Sequence, residues 1–592
     1  MNSRTPPLTL PIALAVFLFG SSLFAAPLAG FPGLTVGTSG TAVVLGRGWV
    51  VASHLRASGT LPGFHGDYLP NAAYADNGHD DGPLLRKLLA RGNVNLFVDR
   101  SFMYDYLVLW SGDHIWLAPW VIARKMSSKT GPAIWPISNQ HMNFVNYSGS
   151  NGFTVPNGAV IHTGTSHDDA GGYGDSNIGI GGGIWDFNTA NQPKRLAWSR
   201  YTLPPEEGGD TGANDDSSLF FSGVDGIQIG GTSAHTILTS LNFISACFGN
   251  DRNVAVSNTE ITDKNLSFPG RIPGLTAPSN NTLGDGLHFK GGNTHVRIDN
   301  YTRLYGGDIV LQIGDGGDGR GCLSNHTHDN AIWWWWNAGD DSDFVVNRIT
   351  TNGGGIGIFG ETAGIVTSTA MWTGTLHYTT GQTFVPQITT QVHDVTINDF
   401  HVENVDSLDS GYVHKENYAQ INEGYCDPPI SGHPSPQYDI RINRVTLDPL
   451  TEVPQCIQVS GSNWTISGLD IPLLNGFGGR HKRVIAQTQG SPNTVISGVR
   501  IGGVANTGGS TDIGLVSPGG FSPNMQIIGC SGTGLNYIVV GPVYGTIRGS
   551  GNNFPGLTGY FDIPANQALY GAGQFAPPLR PPLPPVTGTS LP

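Results

Sequence analysis

The chain has 592 residues, among them 85 Gly and 39 Pro, and only 12% are charged, against about 25% in an ordinary soluble domain. So few Lys, Arg and Glu leave little to clothe helices with solvated faces, Gly shows no three-residue period, and 38% hydrophobic residues with 13 Trp exclude a disordered chain. The formal net charge of −14 repels phosphate and anionic lipid, which argues against nucleic acid and anionic membrane surfaces as partners.

At the N-terminus, Arg4 precedes a mostly apolar stretch from Leu8 to Phe19 and then small residues at Ser21, Ser22, Ala25 and Ala26. This is the pattern of a secretory signal peptide, residues 1–26, too short to be a membrane span. No later segment is apolar enough to cross a bilayer. The mature protein is expected to be secreted, extracellular or periplasmic, with its oligomeric state open. Residues 27–75 read as an N-terminal extension.

Next, Asp81 is placed to cap a short helix with Pro83 in its first turn and Leu84, Leu85, Leu88 and Leu89 on one side. Strand-like runs follow at Val94 to Val98, Tyr106 to Trp110 and His114 to Leu117, then the Gly-rich run Asn177 to Trp185 (NIGIGGGIW). From about residue 250 a unit recurs: a polar residue, a short β-branched run, one or two small or polar residues, and a second short run. It begins at Asn253, His295, Asp343, Asp394, Asp439, Asn463, Asn493 and Asn524, at steps of 42, 48, 51, 45, 24, 30 and 31 residues. The later steps fit one coil of a solenoid each and the earlier ones two.

Short strands joined by sharp turns, repeating every few tens of residues, predict a parallel β-helix in which each coil covers the apolar face of the last. A β-propeller needs a regular blade of about 40–45 residues, which the late steps do not supply. The fold class is therefore all-β: a right-handed, single-stranded parallel β-helix over residues 76–570. The Leu-rich helix closes its N-terminal end, and residues 571–592 form a Pro-rich tail.

The run from Asp80 through the helix into VNLFVDRSFMYDYLVLWSGDHIWLAP, the Gly-rich NIGIGGGIWDFN, the run Gly284 to Lys290 (GDGLHFK) and Gly306 to Gly314 (GGDIVLQIG) together resemble the pectin-lyase-like right-handed β-helix superfamily. Within it they are similar to the polygalacturonase-like members, glycoside hydrolase family 28. The resemblance implies the fold over most of the mature chain, and an inverting hydrolysis in which one Asp donates a proton and others activate water. The family's adjacent Asp-Asp pair is reduced here to Asp308, with Gly307 or Ile309 in the missing place, and its Gly-His-Gly and Arg-Ile-Lys signatures are absent. If Leu311 and Ile313 point inward, Asp308 takes the proton-donor place; if Val310 and Gln312 do, it takes the water-activating one.

From Asp285 to Asp343 there are nine Asp and no Glu. Residues one coil apart in a β-helix lie about 4.8 Å apart along the axis, so Asp285 and Asp308 are the candidate catalytic pair. Two carboxyls that close split their pKa values, as acid/base work at a glycosidic bond requires. Asp and Asn also serve β-helix bends by bonding to nearby backbone N–H groups, which is the bland reading of Asp340 and Asp341.

Strand alternation puts Leu287 and Phe289 inward and His288 and Lys290 outward, on the face that would hold substrate. Lys290, Arg297 and Arg303 are placed to grip a uronate or sulfate, or to abstract a proton in a lyase reaction. Trp333 to Trp336 cannot all enter one core, so a pair such as Trp334 and Trp336 is expected to stack on sugar rings. No metal or cofactor is assigned, although Asp315 and Asp318 in a Gly-rich loop offer oxygen ligands for Ca²⁺. Of five Cys, Cys426 and Cys456 are the nearest pair in sequence. The sequence thus supports a polysaccharide-degrading hydrolase, a lyase of the same fold, or a non-catalytic glycan-binding solenoid.

Overall fold

The computed structural model describes residues 34–36, 43–45, 47–57, 63–70, 76–127, 161–163, 175–188, 217–231, 235–239, 244–249, 251–262, 285–289, 292–304, 309–314, 340–351, 355–359, 361–366, 384–403, 437–448, 457–459, 461–475, 483–487, 491–505, 508–518, 523–543 and 546–563. They form a right-handed parallel β-helix. One long ladder runs from Trp49–Val51 through Asn95–Val98 and His114–Lys125 to Ile547–Ser550 at the far end. Trp49–Val51, inside the stretch read as an extension, therefore already belongs to the ladder. A second sheet stacks seven strands, from Leu107–Leu109 to Gly355–Phe359, and four further strands stack from Ile457–Val459 to Tyr537–Val539.

What turns the chain from one sheet to the next is a residue in the left-handed conformation. The eight polar residues that begin the sequence repeat, from Asn253 to Asn524, all have φ between 55° and 62°. A second such column follows five residues later: Asn258, Asn300, Arg348, Asp399 and Arg444, continued by Gly468, Gly498 and Gly529. Asn, Asp and Gly tolerate this conformation at least cost, which is why they dominate both columns. Their side chains also bond up the axis: Asn463 donates to Asp439 at 2.9 Å, Asn493 to Asn463 at 3.0 Å and Asn524 to Asn493 at 3.1 Å.

Between the two columns each coil contributes one inward residue to a continuous row: Val256, Ile298, Val346, Ile397, Ile442, Ile466, Ile496 and Ile527, in register and fully buried. That register corrects one expectation. The early, longer steps of the repeat are single coils like the later ones, with the extra length spent in connections between strands. In the second sheet Phe221, Phe248 and Phe289 stack with ring centroids 5.4 and 4.5 Å apart, and Phe289 meets Phe344 of the long ladder edge-on at 5.1 Å. This aromatic column ties the two sheets across the core.

The helix expected near residue 85 spans Gly82–Leu89 and buries Leu85, Leu88 and Leu89 against the first coils. Its N-terminus is served differently from the expectation. The Asp81 carboxylate accepts from the backbone N–H groups of His65 and Gly66 at 2.7 and 2.9 Å, and it is Asp80 that takes the N–H of Gly82, at 2.9 Å. A second short helix, Ala52–Ala57, has no counterpart in the sequence pattern. Among the described residues no helix is long and apolar enough to cross a membrane.

If the left-handed column sets the coil geometry, Asn493→Gly lowers the thermal midpoint only by the loss of the side-chain bonds to Asn463 and Asn524. Asn493→Ala loses about 1–2 kcal/mol for the forced backbone together with the side-chain bonds, and Asn493→Val loses more. A melting series in the order Gly, Ala, Val checks it; equal midpoints would show that the column is incidental.

Candidate functional site

The strands that carry the candidate acids are direct neighbours. Asp285–Phe289 pairs with Ile309–Gly314 in the second sheet, with Leu287 opposite Leu311, His288 opposite Gln312 and Phe289 opposite Ile313. Asp285 is the first residue of its strand, and Asp308 comes immediately before Ile309, the first residue of the other, whose register is irregular between Ile309 and Leu311. The backbone of Asp285 also pairs with Ile244 on the other side. The side chain of Asp285 and all of Asp308 lie outside the described residues, as do Lys290, Trp333 to Trp336, Asp315, Asp318, Cys322, Cys426 and Cys456.

Gly286 explains why the second residue of the strand is Gly. A Cβ there would stand 2.2 Å from the carbonyl oxygen of Val310 and 2.4 Å from the Tyr301 hydroxyl. That hydroxyl donates to the same Val310 carbonyl at 3.0 Å. Gly286 therefore lets the two strands close up at the N-terminal end of Asp285–Phe289. Leu311 and Ile313 ladder onto Leu287 and Phe289 and belong to the core with them.

Two predicted substrate contacts are buried instead. His288 does lie on the face opposite Leu287 and Phe289, in a row with Cys247 and Gln312, but only 4% of it is exposed. Parity along a strand fixes the face and says nothing of what lies over it. Arg303 faces the interior, in register with Ile261 and Thr351, and is 0% exposed. The left-handed Asn300 shifts the alternation by one residue: Val296 and Ile298 point inward before the bend, Tyr301 and Arg303 after it. Arg297 is outward, but its guanidinium grips both carboxylate oxygens of Asp343 on the next coil at 2.9 Å.

The acidic cluster divides accordingly. Asp299 pairs with Arg348 at 2.6 Å, Asp340 accepts from the backbone N–H of Gln391 at 3.0 Å, and Asp343 holds Arg297. Asp341 accepts from the backbone and side-chain nitrogens of Asn293 at 2.8 and 2.9 Å. Asn293 in turn accepts from the backbone N–H of Asp251, whose carboxyl takes the N–H groups of Val224 and Gly249 at 2.8 and 3.1 Å. This buried stack serves the corner between the sheets, a role the sequence pattern assigns to Asp341 but does not reveal at Asp251. Burial holds the Asp251 carboxyl well above the ordinary range. All four acids of the cluster with described side chains are thus engaged in joining coils.

Cys247 and Cys530 are buried. No family model matches the chain, and no curated protein matches it. Among solved structures, the chain is similar to an exopolygalacturonase from Thermotoga maritima at 9% identity, covering 89% of this chain and 94% of the other, TM-score 0.43. It is also similar to the A-module of a mannuronan C-5 epimerase from Azotobacter vinelandii, at 10% identity over 87% and 97% with TM-score 0.40. A surface adhesin of Streptococcus pneumoniae gives 10% over 86% and 93% with TM-score 0.35. Two are enzymes and one an adhesin, and at these scores none bears on activity; the fold rests on the strand pairing of this chain.

A corner carboxyl yields a pH prediction. Asp113 accepts from the backbone N–H groups of Val94 and Trp110 at 3.0 and 2.9 Å, and burial nevertheless pushes it up to about 6 from 3.8. A group raised in the folded state binds its proton more tightly there, so its stabilising contribution is full below about 3.8 and is lost as pH rises through about 6. The stability difference between the parent and Asp113→Asn, followed by denaturant titration, should therefore shift in favour of the parent as pH falls from 7 to 4. A difference independent of pH would contradict it.

Proposed function

We propose that the protein is a secreted, polysaccharide-degrading glycoside hydrolase that uses Asp308 as general acid and Asp285 as general base. The observation that supports this most directly is the pairing of Asp285–Phe289 with Ile309–Gly314. It brings the backbone of Asp285 into the strand next to the one that Asp308 precedes by one residue in the chain, while the described acids around them are occupied in holding coils together. Val310 lies in the core together with Leu311 and Ile313, and the strand is irregular between Ile309 and Leu311, so strand parity does not choose between the two places for Asp308, and the acid and base roles are part of the proposal.

In the reaction the protonated Asp308 gives its proton to the glycosidic oxygen as the bond from that oxygen to the anomeric carbon breaks. The Asp285 carboxylate takes a proton from the water whose oxygen attacks the anomeric carbon from the opposite side. A neighbouring carboxylate keeps one of the two acids protonated near neutral pH, because two charges that close cannot both ionise freely. Inversion follows if the carboxyls are about 6.5–9.5 Å apart, leaving space for the water. The apolar faces of sugar rings suit the indoles of Trp334 and Trp336 as stacking partners.

The test is a polysaccharide panel read by reducing ends and by ultraviolet absorbance. Hydrolysis releases reducing ends without an absorbing product, and Asp285→Asn and Asp308→Asn each lower turnover by about 10²–10⁴-fold with unchanged melting. An absorbing unsaturated product marks a lyase and overturns the reading. So does binding without cleavage that survives both substitutions, the behaviour of a non-catalytic solenoid.

A further inference from the structure

We propose that His65, Asp67 and His79 form a binding site for one divalent transition-metal ion of the zinc class, which pins the N-terminal end of the solenoid. One ligand atom from each of the three residues lies within 4.8 Å of the other two. The sequence pattern assigns no metal ligands, and nothing in the spacing of these residues announces a site, because two chain segments have to meet to make it.

The meeting is built into the backbone. Residues 65–69 are held against 77–79 by a reciprocal clamp in which Leu69 N–H donates to the Asn77 side chain at 3.1 Å and Asn77 donates back to the Leu69 carbonyl at 2.6 Å. The Asp81 carboxylate holds the N–H groups of His65 and Gly66, and the N–H of Gly78 reaches the Met103 sulfur at 3.3 Å. Gly66 has φ 53°, and it turns the chain between the two ligands that flank it. The ligand carboxylate is itself oriented: Asp67 Oδ1 accepts from the backbone N–H of His79 at 3.1 Å, which turns Oδ2 to the His79 ring, 2.7 Å from Nδ1.

The two imidazoles stack with centroids 3.9 Å apart and planes 12° from parallel. In that stack the two ring planes are nearly parallel, so one ion cannot lie in the plane of both; binding has to turn one ring out of the stack, with the carboxylate as a third ligand. Two imidazole nitrogens and one carboxylate oxygen are the donor set that zinc accepts at about 2.0–2.2 Å, with separations between ligands of about 3.4 Å. His79 and Asp67 are exposed side chains, with room to make that turn, and water fills the open position. Because the segment 65–69 is joined through Asp81 to the helix Gly82–Leu89, the ion would staple the loop to the cap of the solenoid. This inference is independent of the proposed hydrolysis.

The experiment uses the full chain stripped by a chelator and titrated with Zn²⁺ by calorimetry, with Co²⁺ as spectroscopic probe. The expected result is one saturable equivalent, a rise in the melting midpoint, and a visible Co²⁺ band of low coordination number. Asp67→Asn and the double variant His65→Gln with His79→Gln, both melting like the metal-free parent, should bind at least about tenfold more weakly. No saturable uptake, uptake unchanged in both variants, or Co²⁺ that keeps the spectrum of the free aqua ion would overturn the site.

Discussion

The molecule depends on two positions per coil that adopt a left-handed backbone conformation. Each bend redirects the strand by one corner without breaking the ladder, and because the same position bends in every coil, the corners stack. From Asn253 to Asn524 one column is Asn, His or Asp throughout. These residues accept the conformation and, where they are Asn or Asp, offer side chains that bond to the corresponding residue one coil away. The apolar row between the columns then falls into register without any sequence rule on coil length. That tolerance explains how short steps, such as Asp439 to Asn463, and long ones, such as Asp343 to Asp394, coexist in one solenoid: insertions lie between the strands, and the bend columns are unaffected.

The same bends govern which residues reach solvent. Alternation along a single strand is a reliable guide only up to a left-handed residue, after which it is displaced by one. Arg303 shows the consequence: read by parity from Val296 it is outward, and in the fold it is among the largest fully buried side chains. Its burial carries a charge into the interior, a costly arrangement unless the guanidinium is satisfied there. Where polar groups line the corners they are connected in chains, as in Asp251, Asn293 and Asp341, so that buried backbone N–H groups find acceptors from the neighbouring coil.

Much of the architecture was legible in the residues themselves. The repeat beginning with Asn253, His295 and Asp343 marks the first bend of every later coil, the Leu-rich segment after Asp81 forms the closing helix, and Leu287 and Phe289 face the core. What could not be read was anything set by contact between segments. The Asp81 carboxylate turns away from its own helix to hold the loop at His65 and Gly66, and Asp80 takes its place. His288 has the predicted face and not the predicted exposure, because cover depends on distant chain. The pairing of two coils was legible, but its register was not: the strand Ile309–Gly314 is irregular between Ile309 and Leu311, a feature that no periodicity in the sequence specifies.

The account turns on neighbouring coils presenting Asp285 and Asp308 to one shared furrow. The most direct measurement is the distance between those two carboxyl groups in a crystal structure of the protein. The account predicts both groups opening to the same side of the sheet, about 6.5–9.5 Å apart, the range that leaves space for the attacking water. Carboxyls on opposite faces of the sheet, or either one enclosed among the apolar rows, would contradict it.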